Sequence, residues 1–135
     1  MENASKALLI AGGVLIALII ITMFLLMSNR LSNIQKEQQE MEKTKQLAAF
    51  NAEYEAFDRK VMYGVDVITL INKVAENNKK YAGNTYYQII ITLNNIQITN
   101  SNSLIGTNEK YLYKCTKITY NDLGRVSKIE IVDYN

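Results

Sequence analysis

Ala7 to Met27 reads ALLIAGGVLIALIIITMFLLM, and no charged residue lies between Lys6 and Arg30. A helix needs ~20 apolar residues to cross a hydrocarbon core of ~30 Å, and this run has that length. Thirteen of its residues are Leu, Ile, Val or Phe. Each of these favours insertion by roughly 0.3 to 0.6 kcal/mol near the membrane centre, against which Gly12, Gly13 and Thr22 count for little. The expectation is a small single-pass membrane protein: a short tail at 1–6, a transmembrane helix at 7–28, and almost everything else on the C-terminal side.

A removable secretory signal has an apolar stretch of ~7–15 residues followed by a small-x-small cleavage site. The stretch here is longer, and Leu25 and Leu26 stand where small residues would be needed. A retained anchor is therefore expected. Within it, Ala7 and Ala11 are four residues apart, as are Gly13 and Ala17. Small residues at that spacing let membrane helices approach closely, so these four are candidate helix–helix packing positions. The adjacent Gly12 and Gly13 are also a point where the helix can bend.

Working outward, residues 29–46 read as a polar helical stalk. Leu31, Ile34, Met41 and Ala48 keep a 3-4 spacing that Gln38 and Lys45 interrupt, a thin stripe suited to a solvated helix or a weak coiled coil. A stronger stripe follows in another phase: Leu47, Phe50, Tyr54, Phe57 and Val61. It puts large side chains on one helical face, and that face is expected to pack on a folded domain at 47–135. No Pro or Gly intervenes between Gly13 and Gly64, so the helix is expected to run from Ala7 to Lys60, ~80 Å at 1.5 Å per residue.

A second helix is expected after Gly64, capped by Asp66, with Val67, Ile71, Val74 and Ala75 as its apolar face and Asn77 to Lys80 as its end. The remainder reads as sheet. Tyr86 to Leu93 is β-branched and aromatic, Asn94-Asn95 is a tight turn, and Ile96 to Thr99 is the return strand. A polar loop at 100–108 leads to strands at Tyr111–Tyr120 and Val126–Tyr134. Asn121 to Gly124 joins these two, with Gly124 suited to a left-handed position. The fold class is α+β: a transmembrane helix continuing into a long amphipathic helix, a second short helix, and a small antiparallel sheet of about four strands.

Composition excludes much. The sequence has no His and a single Cys, Cys115, so there is no Ser-His or Cys-His nucleophile, no intrachain disulfide and no zinc ligand set. Cys115 reads as a small buried hydrophobe. The glycines outside the membrane pair are isolated, so no phosphate loop is present. The net charge is +2 with the signs mixed, which gives no nucleic-acid footprint. Glu53, Glu55 and Asp58 cluster in sequence, but read as a solvated helix face. No catalytic, cofactor-binding or metal-ligating residue is expected, and no small-molecule substrate is evident. Seven of the nine tyrosines lie at Tyr81 or later. They suit half-buried strands, or a surface that holds a protein or glycan.

The layout of an apolar N-terminal helix, an amphipathic continuation and then a sheet resembles type IV pilins, pseudopilins and Tad-type minor pilins. In that family the apolar half anchors the subunit and builds a filament core, and the other half supports the head. The sequence departs from the prepilin pattern in having no glycine before the apolar run and Glu2 as its only early acid, so no functional residue is carried over. ENASKALLIAGG and MYGVDVITLINKVAENN are also similar to segments of small single-pass membrane proteins of low-GC Gram-positive bacteria. The resemblance implies a non-enzymatic structural subunit with the bilayer and self or other membrane-protein subunits as partners. A membrane-tethered binding module is the alternative. Lys6 faces Arg30, Lys36, Lys43 and Lys45 across the span. That count favours a cytoplasmic C-terminal domain, whereas the pilin-like layout favours an extracytoplasmic one, which is the expected side.

Overall fold

The computed structural model describes residues 1–102 and 111–134. Most of the polar loop expected at 100–108 lies outside the described residues. The elements in order are α1 (Glu2–Glu55), β1 (Val61–Tyr63), α2 (Gly64–Lys80), a 3-10 turn (Thr85–Tyr87), β2 (Ile90–Leu93), β3 (Ile96–Ile98), β4 (Leu112–Tyr120) and β5 (Val126–Asp133). The chain divides into two compact units, Met1–Thr44 and Lys45–Asn135.

The first unit is helix. Its apolar segment is long and apolar enough to cross a membrane, and none of it is buried. Thr22, the polar residue in the run, donates its hydroxyl to the Leu18 carbonyl at 2.8 Å, so that group is satisfied within the helix.

The second unit is α+β with one core. Tyr54 of α1, Val67, Leu70, Ile71 and Val74 of α2, and Ile91, Tyr113, Cys115, Ile129 and Ile131 of the sheet are all buried together. Helix α1 ends at Glu55, not at Lys60. The Phe57 and Asp58 N–H groups donate to the Tyr54 and Glu55 carbonyls at 3.0 Å each, and Lys60 N–H donates to Phe57 O at 3.2 Å. Such i to i+3 bonds tighten a helix into a turn. Arg59 then takes φ +54°, reversing the chain without a glycine. Val61, expected on the helical stripe, instead opens β1 and is exposed. Its neighbour Met62 is buried opposite Tyr113.

Helix α2 follows β1 directly, so Asp66 is not its N-cap. It sits three residues inside, and its carboxylate accepts the Tyr63 N–H at 3.2 Å, which is half of a capping box. Leu70 joins the expected buried face, while Ala75 is only half-buried.

Among the described residues the sheet has five strands in the order β1-β4-β5-β2-β3 and is mixed rather than antiparallel. Strand β5 pairs antiparallel with β4 on one side and parallel with β2 on the other. The strand expected from Tyr86 begins only at Ile90, because Asn84 Oδ1 accepts the Tyr86 N–H at 3.2 Å and holds a 3-10 turn there. Asn94 and Asn95 take φ +49° and +67° and Gly124 takes φ +72°, as their positions in the two turns require.

Register shifts fall between Cys115 and Lys117 and between Thr119 and Tyr120. Each leaves one residue extra, Thr116 on β4 and then Ser127 on β5. Thr116 donates its hydroxyl to Glu130 O at 3.2 Å and Ser127 donates to Thr119 O at 3.1 Å. A bulge moves the following side chains to the other face. Cys115 and Ile118 thus both point inward although three apart, as do Val126 and Ile129.

Candidate functional site

A cluster of buried and half-buried polar and aromatic groups in the second unit surrounds Arg125, which is 8% exposed. Its guanidinium carbon lies 3.3 Å from the centre of the Phe50 ring and 5.2 Å from each of the Tyr81 and Tyr87 rings. Nη2 donates to Asn77 Oδ1 at 3.1 Å, and Nε has no hydrogen-bond partner among the described residues. Tyr81 and Tyr87 stack on each other with centroids 5.1 Å apart. A buried charge is costly unless paired. Here three aromatic faces and one amide oxygen compensate it, and a flat guanidinium suits such stacking where an ammonium does not.

Beside it, Asn51 joins α1 to the β4–β5 hairpin. Its amide donates to Gly124 O at 2.7 Å, and its oxygen accepts the Val126 N–H at 3.0 Å. Asn78 repeats the device, and Asn94 repeats its accepting half. Asn78 donates to Ile89 O at 2.8 Å and accepts the Ile89 N–H at 2.7 Å. Asn94 accepts the Asp133 N–H at 3.1 Å and donates to the Asp133 carboxylate at 2.9 Å. Asn77 completes the set by donating to Tyr87 O at 2.8 Å. A side-chain amide offers one donor and one acceptor side by side, so it can meet a strand backbone as another strand would.

The sequence carried weak signals of this centre. Asn51 falls in step with Leu47 and Tyr54 on the stripe, and Arg125 follows the turn glycine.

The acidic cluster divides. Glu53 pairs with Lys73 of α2 at 2.8 Å, Glu55 accepts the Tyr120 hydroxyl at 2.6 Å, and Asp58 is exposed in the turn. Glu53 and Glu55 thus tie elements together instead of forming a carboxylate site. The Glu55 bond holds the Tyr120 proton and pushes that phenol up to about 12. Burial, helped by Glu53, pushes Tyr54 up to about 12. Burial also raises the Cys115 thiol, which makes a thiolate nucleophile unfavourable there. Among the described residues no group of three or more His, Cys, Asp or Glu side chains could hold a metal.

The face of the sheet away from the core has another character. Side chains alternate across a strand, so with Met62 and Tyr113 inward, Tyr63 and Leu112 point outward as a register pair. Tyr134 adjoins them, its N–H donating to Leu112 O at 2.9 Å. Val61, Lys114 and Val132 form the next row. Tyr63 is 61% and Tyr134 47% exposed, and the Lys114 ammonium lies 5.8 Å from the Tyr134 ring centre.

The four small residues of the first unit are all exposed on α1. The helix does not bring them onto one face. Gly13 follows Ala7 by six residues, a rotation of about 240°, so Ala7–Ala11 and Gly13–Ala17 mark two separate faces. A Cβ built on Gly13 would meet nothing within 4 Å.

No family model, curated protein or solved structure matches this chain.

Proposed function

We propose that the protein is a non-enzymatic, membrane-anchored structural subunit, pilin-like in layout, of a surface or secretion assembly. One observation carries this reading: α1 joins an unburied apolar segment at its start to Asn51 and Tyr54, which are part of the domain core, at its end. The chemistry of the C-terminal unit supports a structural role, since the Asn51 and Asn77 amides and the Arg125 Nη2 bond one another and the backbone. In this reading the C-terminal unit lies outside the cytoplasm.

The test has two parts. Asn102→Cys in a Cys115→Ala background is treated with an impermeant maleimide in intact and in lysed cells. Labelling in intact cells supports the extracytoplasmic side, and labelling only after lysis overturns it. Crosslinking in the same membranes should give species larger than the monomer; monomer alone would remove the subunit assignment.

A second reading has its own observation. The row of Tyr63, half-buried Leu112 and Tyr134, with both tyrosines exposed, is of the type that tethered binding modules use, because tyrosine supplies rigid contact area with a polar tip. Replacing Tyr63 and Tyr134 by Ser would then abolish partner binding without altering the fold.

A further inference from the structure

We infer that the extramembrane stretch of α1 takes an unlike helix, one from a second single-pass membrane protein that presents Lys or Arg to Glu37 and Glu42. Leu31, Ile34 and Met41 are 52%, 49% and 60% exposed. With Gln38 they keep alternating steps of three and four, and the same phase carried back along α1 reaches Ala17 and Gly13. An apolar seam of this period is what a helix presents to a parallel partner in a coiled coil.

The charges beside the seam say which partner. Glu37 and Glu42 are exposed and occupy the two positions that flank the seam around Gln38 and Met41. Copies of one single-pass chain share an orientation, so two copies can meet only in parallel. In that arrangement Glu37 of each copy faces Glu42 of the other, twice over. Like charges at these flanking positions select against a pairing, and opposite charges select for it. The seam favours association while its flanks disfavour self-association, which leaves a partner helix of opposite flank charge.

This inference rests on the membrane-subunit reading, and the experiment separates the two. The probe is a charge-reversed copy of the full chain, E37K/E42K. Gln38→Cys is placed in both versions in a Cys115→Ala background, because that position faces its counterpart across a parallel seam. Differently tagged versions are mixed in phosphatidylcholine vesicles and oxidised. Mixed disulfide pairs should exceed unaltered self-pairs severalfold, and the excess should shrink at high salt. The single variant E42K, which sets an ammonium of one copy against Glu37 of the other, should gain self-pairs severalfold by itself. Self-pairs of the unaltered sequence as abundant as mixed pairs would overturn the inference in favour of a second copy. Absence of pairs of any composition would overturn it as well. Extraction of the chain from the vesicles by alkaline carbonate would instead count against the membrane reading.

Discussion

The Arg125 guanidinium lies 3.3 Å from the centre of the Phe50 ring, so a cation from the β4–β5 turn is stacked on the last turns of α1. Around its charge stand the Asn77 amide oxygen and three π faces. Arg125→Ala should lower the stability of the C-terminal unit by about 3 kcal/mol, through lost packing as much as lost charge. Arg125→Met keeps the apolar stem and should cost clearly less. Urea unfolding in detergent micelles, followed by circular dichroism, measures both. Equal losses for the two variants would show that the packed stem is not the larger part.

Asn51 fills both halves of a backbone gap at Gly124 and Val126. Asn51→Ala leaves the buried Val126 N–H without its acceptor, a cost of about 1–3 kcal/mol. Asn51→Asp keeps that acceptor but sets a carboxylate oxygen against Gly124 O, so it should also destabilise, and less so at acid pH where the added proton can donate. A pH series of unfolding midpoints for the two variants checks the sign.

Arg59 holds φ +54°, a conformation that costs an ordinary L-residue about 1 kcal/mol or more. Glycine adopts it freely but adds freedom to the unfolded chain. Arg59→Gly should therefore stabilise the C-terminal unit by up to about 1 kcal/mol. A lower unfolding midpoint would mean that the Arg59 side chain contributes more than its backbone costs.

Tyr54 and Tyr120 both have phenols raised from 10.0 to about 12. A group that binds its proton more tightly when folded gives stability that is complete below its unfolded pKa. That stability is lost as pH climbs through the folded value. The window here runs from pH 10.0 to about 12. Tyr120→Phe removes the proton and with it that residue's share of the alkaline loss, so its unfolding midpoint should fall less steeply across the window than the parent's.

Cys115 is fully buried, and burial raises its thiol. Maleimide should react with the folded protein only as fast as the core opens, and promptly once urea unfolds it. Prompt reaction in native conditions would place the Cys115 sulfur at the surface.

What the sequence disclosed depends on how far apart the cooperating residues are. The apolar run needed only its own length, and Asn94-Asn95 and Gly124 needed only their own backbone preference, so all were legible. Strand β1 was not, because three residues are too few to show alternation and Val61 happened to continue the step of the helical stripe. The bulges at Thr116 and Ser127 broke the alternation that would have located the inner face of β4 and β5. The parallel pairing of β2 with β5 joins segments far apart in the chain and leaves no local trace. Arg125 and Asn51 are polar residues whose burial is fixed by partners distant in sequence, so nothing local marked them as buried. The small-residue spacing was visible in the sequence, and the rotation between Ala7 and Gly13 divides it between two faces of α1.

The place of β5 bears on how this protein is made. The strand that leaves the ribosome after all its neighbours is the one between β4 and β2. Until Val126–Asp133 has emerged, β1 and β4 cannot be joined to β2 and β3, and Arg125 cannot reach Phe50. The apolar helix is synthesised first and is available for insertion long before the sheet can close. During that interval the two half-sheets present unpaired edges. A chain cut short between Tyr120 and Val126 would stay in that state, its edges open to proteolysis.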